Sequence, residues 1–201
     1  MLSVRDLASA VLGPVSFDVA AGECVAVMGA SGAGKSLLLR AIADLDPNGG
    51  DVALNGTTRN AMPAHAWRRQ VALVPAESGW WADRVGEHFI AAPPDMGLLD
   101  ALGLAAEALD WSVARLSSGE KHRLAILRAL CLRPAALLLD EPSASLDETS
   151  TERLEAVLKD QRAGGVPIVL VTHDAAQAER LATRIITLAG GRIADQRDTA
   201  K

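Results

Sequence analysis

The sequence lacks long apolar runs. Its longest apolar stretches, such as residues 135–139 and 166–171, have the length of buried strands. They fall well short of the roughly 18 to 20 residues that a membrane-spanning helix needs. The N-terminus carries Arg5 and Asp6 and does not have the layout of a signal peptide. We therefore expect a globular chain that contacts any membrane through a partner.

Cysteine and histidine are scarce as well. The two cysteines, Cys24 and Cys131, lack the spacing of metal ligands, and the four histidines are scattered along the chain. A metal site built from these residues is therefore not expected. Both thiols are interpreted as small buried groups of a protein from a reducing compartment.

There is no excess of positive charge. The net charge is −5 and the isoelectric point is near 5.4, which argues against nonspecific binding to nucleic acid. The short basic clusters, Arg68-Arg69 and residues 121–123, are interpreted as solvated faces. The remaining composition, 49% apolar and 22% charged over 201 residues, is that of a globular domain.

The strongest motif is residues 29–36, which fit the pattern G-x-x-x-x-G-K-[ST]. An apolar run at 23–28 reads as a strand before it, and residues 37–45 read as a helix after it. Such a loop curls its backbone N–H groups around phosphates, while Lys35 reaches the β- and γ-phosphates and Ser36 ligates Mg²⁺. The predicted nucleotide-binding residues are Gly29, Ala30, Ser31, Gly32, Ala33, Gly34, Lys35 and Ser36.

Two further apolar runs end in reactive side chains. Residues 135–141 end in Asp140, placed to act on Mg²⁺ through water, and Glu141, placed to polarise an attacking water as general base. A polar strand end would also explain this pair on its own. Residues 166–171 lead into His173, and a lone histidine is often structural. Because strand ends of a parallel sheet meet at one edge, a contact between His173 and the γ-phosphate is favoured.

The stretch RLSSGEKHR, residues 115–123, begins a predicted amphipathic helix. Ser117 and Glu120 have the S-x-x-E spacing of a capping box, in which each side chain satisfies a free backbone N–H group. That explains both residues and leaves Gly119 unexplained, because glycine in a helix costs about 1 kcal/mol relative to alanine.

The order of these motifs resembles the ATP-binding cassette (ABC) ATPases, over nearly the whole chain from about Leu2 to Ile193. The matching segments are the phosphate-binding loop, LSSGE at 116–120, the strand at 135–141, SASLD at 143–147 and His173. The resemblance implies an α/β fold: a P-loop NTPase core with a mostly parallel sheet, an antiparallel β subdomain and a helical signature subdomain at about 77–130. It further implies a single nucleotide-binding domain spanning residues 1–201.

The resemblance also implies a head-to-tail dimer that holds ATP between the P-loop of one copy and the signature of the other. The signature residues acting in trans would be Ser117, Ser118, Gly119 and Glu120. Gly119 would be needed because its backbone approaches the γ-phosphate closely. A narrower match, over residues 68–89 and 117–130, resembles small bacterial iron-efflux (FetA-type) cassette subunits.

As a function, the resemblance implies an ATP-hydrolysing, energy-coupling subunit of a membrane ABC transporter that uses ATP and Mg²⁺. Its partners would be an integral membrane permease and a second nucleotide-binding domain, with no nucleic acid. Its expected location is cytoplasmic, peripheral on the inner face of the plasma membrane through the permease.

Three departures from the family pattern stand out. Ala76 occupies the position of the Q-loop glutamine, and Glu77 is a candidate substitute of different charge and reach. The aromatic residue that stacks on adenine is missing: the chain has no Tyr, and residues 7–12 are aliphatic. Ser118 replaces the first glycine of the signature, a small change that a helix start accepts.

The remaining periodicities predict individual elements. Antiparallel strands are expected within residues 1–25 and 50–58 with a turn at Asn55-Gly56, helices at 101–109 and 148–162, and a short strand with a polar tail after Arg192. Trp80 and Trp81 have two interpretations. They either pack inside the helical subdomain or, partly exposed, act as a docking anchor for the permease.

A runner-up function is a soluble, non-transport ABC ATPase of repair, translation or cofactor assembly. The acidic isoelectric point, the single cassette and the lack of a coiled-coil arm, zinc motif or basic extension count against it. A small-molecule P-loop kinase would leave the signature unexplained. Co-purification with a membrane protein of several transmembrane helices separates the first two.

Overall fold

The computed structural model describes residues 1–199, which contain ten strands and six α-helices. The strands are β1 (Leu2–Ala8), β2 (Val15–Val19), β3 (Cys24–Met28), β4 (Gly49–Leu54), β5 (Thr57–Thr58), β6 (Val71–Val74), β7 (Ala136–Asp140), β8 (Ile168–Val171), β9 (Arg184–Ala189) and β10 (Arg192–Asp198). The helices are α1 (Lys35–Ile42), α2 (Ala64–Gln70), α3 (Met96–Ala101), α4 (Ser118–Cys131), α5 (Glu148–Ala163) and α6 (Ala175–Leu181).

A four-stranded antiparallel sheet has the order β2-β1-β4-β5. The turn between β4 and β5 holds Asn55 and Gly56 at φ angles of 50° and 81°. Two consecutive left-handed residues are what a tight hairpin turn requires, and Asn-Gly is the pair best suited to it. The predicted antiparallel strands are therefore confirmed, although Cys24 already belongs to the other sheet.

A six-stranded sheet has the order β10-β9-β3-β8-β7-β6. Its strands run parallel from β9 to β6, and only β10 pairs antiparallel with its neighbour. All five residues of β7 and all four of β8 are buried. Strands covered on both faces read as continuous apolar runs, which is how both were recognised in the sequence. The expected α/β architecture with a mostly parallel sheet is confirmed.

Four neighbouring strands of this sheet place the site. Strands β3, β8, β7 and β6 are adjacent and parallel, so their carboxyl ends share one edge. The segments that leave this edge begin at Gly29, Thr172, Glu141 and Pro75. Each contains a residue that the motifs single out, and ligands of open α/β sheets bind at this edge.

The segment between β6 and β7 is largely helical. Besides α3 and α4 it contains short 3₁₀ turns at Val85–His88, Ala106–Asp110 and Val113–Arg115. The predicted helix at 101–109 is wrong. Helix α3 starts five residues earlier because Asp95 caps it, accepting from the N–H groups of Gly97 and Leu98, and it ends before Gly103, whose φ is 67°.

Other predicted elements shift at their ends. The helix after the phosphate-binding loop covers Lys35–Ile42 rather than 37–45, since Asp44 adopts a left-handed φ of 58°. The helix predicted at 148–162 is present as α5, and the predicted C-terminal strand is β10. The last two residues of the expected polar tail, 200–201, lie outside the described residues. Across residues 1–199, no helix combines the length and apolarity needed to cross a bilayer.

The two cysteines behave differently. Cys24 is buried in β3, and burial raises the pKa of its thiol to about 12. Cys131 is only half-buried and its Sγ accepts a hydrogen bond from the Asp95 N–H group. The expectation of two buried thiols is thus met by Cys24 alone.

Candidate functional site

The loop between β3 and α1 is shaped by its glycines. Gly29 and Gly34 have φ angles of 144° and 99°, and a Cβ atom at Gly29 would collide with the backbone oxygen of Leu188. Lys35 Nζ donates to the carbonyl oxygens of Gly29 (2.9 Å) and Ala30 (3.1 Å), which holds its ammonium group over the loop. Gly34 caps α1 without a side-chain acceptor, so no side chain competes for the first amides of the helix.

An open cleft of about 330 Å³ unites this loop with the end of β7. Its walls include Ser31, Lys35, Ser36, Asp140 and Glu141. Asp140 is buried with 7% of its surface exposed, whereas Ser36 is exposed. The predicted phosphate-binding and cation-binding side chains therefore face one shared space, although they lie more than 100 residues apart in sequence.

The donor set of this cleft suits a hard cation that keeps much of its own shell. Within residues 1–199 there is no group of three or more His, Cys, Asp or Glu side chains placed to hold a metal ion. The cleft offers oxygen donors, the Ser36 hydroxyl and the Asp140 carboxylate. Mg²⁺ is commonly held by one or two carboxylates together with waters and substrate phosphates, so these residues fit it.

Glu141 and His173 form a close pair at the same edge. His173 Nδ1 lies 2.7 Å from Glu141 Oε2, and the His173 backbone N–H donates to the same oxygen at 3.3 Å. Glu141 adopts a left-handed φ of 50°, a conformation that costs a non-glycine residue about 1–3 kcal/mol. Its N–H donates to the Val171 oxygen (2.9 Å), which ties this strained residue to β8.

The start of α4 carries the predicted capping box. Ser117 Oγ accepts from the Glu120 N–H group (3.2 Å) and donates to Glu120 Oε2 (2.8 Å), while the Ser117 N–H donates to Oε2 (2.9 Å). These hydrogen bonds lower the pKa of Glu120, so the carboxylate stays ionised. Ser117 is therefore engaged by its own helix and must exchange its bond to Glu120 before it can donate to a phosphate.

Gly119 has a packing reason of its own. A Cβ atom there would lie 2.8 Å from the backbone oxygen of Ser145 and 3.3 Å from Leu146 Cδ2. The first turn of α4 thus lies directly against the SASLD segment of the same chain. This contact, which the sequence does not reveal, accounts for a glycine in the helix independently of any phosphate.

The position of the Q-loop glutamine borders the phosphate cleft. Ala76 lines that cleft, whereas Glu77 does not belong to its walls. Substitution of the missing glutamine by Glu77 is therefore not supported by the geometry. The helix face nearby holds His122, which is buried, and burial lowers the pKa of its imidazole against the opposing effects of the Ala76 backbone and Asp140.

The expectation of a solvated basic face at 121–123 is accordingly not met, because His122 is buried and Lys121 and Arg123 are half-buried. His122 is 7% exposed. Arg123 is half-buried and donates to the carbonyl oxygens of Leu102 (2.8 Å) and Gly103 (3.0 Å), bracing α4 against the end of α3. The charge pattern of the sequence did not reveal the burial of these residues. An arginine that donates to the carbonyl oxygens of a loop cannot be told from a surface arginine by sequence alone.

The two adjacent tryptophans differ in exposure. Trp81 is 67% exposed, while Trp80 is half-buried and packs against the core. Trp81 lines a groove of about 290 Å³, which we name the Trp81 groove. Its lining includes Val74, Ser78, Trp81, Phe89, Ile90 and Arg128. The prediction that one of the pair is partly exposed is confirmed.

The region expected to hold adenine is aliphatic, as the sequence indicates. Val11 is 62% exposed and Leu12 is buried, and the two phenylalanines, Phe17 and Phe89, are buried. The segment from residue 7 to 12 thus contains no aromatic ring, as the sequence indicates.

Comparison with known proteins gives a consistent result. A family model described as "ABC transporter" matches residues 12–144. The Fe(3+) ions import ATP-binding protein FbpC of Streptomyces coelicolor is 40% identical over 96% of this chain and 59% of its own length. The cobalt import ATP-binding protein CbiO of Rhodobacter capsulatus is 39% identical over 90% of this chain and 71% of its own length.

A solved structure described as the ATP binding subunit of an ABC transporter superposes with a TM-score of 0.89 at 30% identity, covering 98% of this chain and 90% of that one. This chain spans 59% of the length of the iron-import relative, so that relative contains sequence with no counterpart here.

Proposed function

The chain belongs to the ABC transporter family, and we propose that it is the ATP-hydrolysing, energy-coupling subunit of a membrane transporter. Its 201 residues would act as a single nucleotide-binding domain, with a helical subdomain at about 77–130. The observation that carries the proposal is the shared cleft in which the Lys35 loop faces Asp140 and Glu141.

Each residue of the cleft has a distinct task in this proposal. Lys35 and the loop amides hold the β- and γ-phosphates, and Ser36 and Asp140 hold Mg²⁺. When bound, Mg²⁺ offsets the charge of the phosphates. Glu141 takes the proton of the attacking water, and its strained backbone keeps the carboxylate at the sheet edge. The His173 ring lies against Glu141 through Nδ1, and its largely exposed side chain reaches toward the γ-phosphate.

The start of α4 supplies a second half-site. Its exposed Ser117 and Ser118 and its unpaired first-turn amides form an anion site at a helix N-terminus. The P-loop of the same chain has its own helix start, so the signature is free to meet the nucleotide of a second copy. We propose a head-to-tail homodimer in which Ser117, Ser118, Gly119 and Glu120 act in trans.

The membrane partner would dock on the helical side of the molecule. The Trp81 groove joins β6, which leads to Ala76, with α4, which starts at the signature. A permease segment seated there would contact both halves of the ATP site through short rigid paths. The chain would then lie on the inner face of the plasma membrane, held there by its permease.

The transported cargo is a separate question. The iron-efflux (FetA-type) resemblance is supported by residues 68–89 and 117–130. The relatives carry names of iron import and of cobalt import at nearly equal identity. Because similar cassettes are named for different cargoes, iron efflux stays a proposal that only the identified permease can test.

The test is co-purification from the source membrane. We expect the tagged chain to bring down a membrane protein with several transmembrane helices, and the complex to hydrolyse ATP in a Mg²⁺-dependent reaction. A chain that hydrolyses ATP but retains only soluble partners would overturn the transport role and favour a non-transport ABC ATPase.

A further inference from the structure

The Trp81 groove has a positive charge at one wall. The Arg128 guanidinium carbon lies 5.0 Å from the ring centroid of Trp80 and 4.8 Å from that of Trp81. The His88 ring packs edge-on against both indoles, at 4.7 Å and 4.4 Å between centroids. The cation thus lies over the rings of two aromatic side chains, which attract it.

This charge has no carboxylate partner inside the protein. Within residues 1–199, the ion pairs closer than 4.0 Å involve Arg5, Arg40, His173, Arg180, Arg184 and Arg197, and none involves Arg128. Arg128 donates only two long hydrogen bonds of 3.3 Å, both to the Gly79 carbonyl oxygen. Burial lowers the pKa of its guanidinium, with no opposing acidic group.

The groove lining supplies no carboxylate to Arg128 among the residues that the structure describes, since it contains Arg68 and Arg128 but no Asp or Glu. Charges that are partly buried in folded proteins are usually paired, so a half-buried Arg128 without a carboxylate neighbour points to a partner group outside the chain.

We propose that the permease segment that docks in the Trp81 groove carries an Asp or Glu that pairs with Arg128 between the two indoles. This inference rests on the proposed transport function and names the chemistry of its partner. A carboxylate can accept hydrogen bonds from two N–H groups of a guanidinium at once. The apolar lining by Val74, Phe89 and Ile90 requires that the rest of the docked face be apolar.

A zero-length cross-link tests the contact directly in the complex. Arg128→Lys keeps the positive charge and gives a carbodiimide an amine that can form an amide with a touching carboxylate. The wild-type guanidinium does not react in this way, and Arg69→Lys places the same amine at an exposed residue outside the groove. Each tagged protein is expressed with its native membrane partner, treated with carbodiimide in membranes and digested for mass spectrometry.

We expect a cross-link from residue 128 to an Asp or Glu of the membrane subunit in Arg128→Lys and none at that position in wild type or from Arg69→Lys. In parallel, Arg128→Glu should lower the amount of co-purified membrane subunit at least about tenfold, since it sets two carboxylates against each other. Thermal unfolding shows whether Arg128→Glu is folded. If Arg128→Glu is not folded, the test rests on the cross-link from Arg128→Lys.

The outcomes separate the two proposals. If wild type retains no membrane protein, the transport function itself fails. If wild type and Arg128→Lys both retain the membrane subunit but no residue-128 link to a carboxylate forms, the acidic partner is refuted while the transport function stands. Undiminished co-purification by a folded Arg128→Glu variant has the same meaning.

Discussion

The two helix starts that the proposal assigns to phosphate differ in how their first turns are satisfied. Helix α1 begins at Gly34, whose left-handed backbone provides no side-chain cap, and a lysine ammonium lies over the preceding loop. Helix α4 begins at Ser117 inside a closed capping box with the ionised Glu120. The first start is open and positive, and the second is capped and carries a negative charge.

This difference explains a division of labour. We expect the P-loop start to bind phosphate by itself, because within residues 1–199 no side chain caps its amides and no carboxylate pairs with Lys35. At the signature start, the capping box already satisfies part of the backbone and the Ser117 hydroxyl. That hydroxyl must give up its hydrogen bond to Glu120 before it can donate to a phosphate. In the proposed dimer the signature start is therefore expected to add affinity only where another subunit has positioned the nucleotide.

The largest effect is expected from Glu141→Gln, which leaves both helix starts intact. Loss of the base should slow hydrolysis by a factor of about 10² or more, while ATP binding persists. Both starts can then hold ATP without turnover, and size-exclusion chromatography with ATP should show a trapped dimer. Turnover at the wild-type rate would remove Glu141 from the mechanism.

Ser118→Asp should separate the stability of α4 from its binding role. An acidic residue in the first turn of a helix stabilises it by about 0.5 kcal/mol through the helix dipole. In the proposed dimer the same charge would face the partner's phosphates and should weaken ATP-dependent dimerisation at least about tenfold, or ~1.4 kcal/mol. Thermal unfolding and ultracentrifugation with ATP measure the two effects, whose signs should be opposite.

Ser118 is a better position for this test than Gly119. Any side chain at Gly119 meets Ser145 of the same chain, so Gly119→Asp would also disturb the monomer. Ser118→Asn, similar in size and uncharged, is the matched control and should dimerise nearly as wild type does. If Ser118→Asp dimerises normally, the start of α4 does not face phosphate in trans.

The motifs were readable because each encodes its chemistry locally. A glycine loop before a helix, an apolar strand ending in two acids and a capped helix start all lie within short segments, and the structure brings the first two into one cleft. Contacts between distant segments were not readable. Gly119 against Ser145, His122 against Ala76, and Arg128 between Trp80 and Trp81 depend on how the helical segment packs, which no local pattern records.

The misplaced helix at 101–109 has a different origin. Apolar spacing alone suggested it, and the spacing continues through the point where the chain turns. Asp95 as a cap and Gly103 as a left-handed stop were both present in the sequence and mark the true ends of α3. Capping signals therefore located this helix better than periodicity did.

A smaller effect is expected from Glu120→Gln. This change removes the negative charge from the start of α4, which makes it more like the uncapped start of α1. The amide oxygen can still accept from Ser117, so the cap persists, but the negative charge near the partner's phosphates is removed. ATP-dependent dimerisation should tighten by about threefold, a modest gain because the site is solvated. The gain should shrink at high salt, where the charge is screened.

The pH dependence of the same residue gives a control. The folded-state pKa of Glu120 is lowered, so its contribution to stability is complete above the unfolded-state pKa and is lost as the pH falls through the folded-state value. Glu120→Gln should therefore flatten the acid side of the unfolding curve relative to wild type. An equal acid dependence in both proteins would show that the capping carboxylate does not stabilise the helix start.

The smallest effect is expected from Ala76→Gln, which adds a ligand to the open P-loop side. Ala76 lines the cleft with Ser36 and Asp140, and an amide oxygen there is a suitable donor to Mg²⁺. Basal ATPase activity should rise by about two- to threefold, with half-maximal activity at a lower Mg²⁺ concentration. Ala76→Leu controls for side-chain volume and should produce no such shift.

Glu77 lies outside the cleft walls, so Glu77→Ala should leave the Mg²⁺ dependence unchanged. If Glu77→Ala instead raises the Mg²⁺ requirement, Glu77 supplies the missing ligand and Ala76 is not the reason for any loss of turnover.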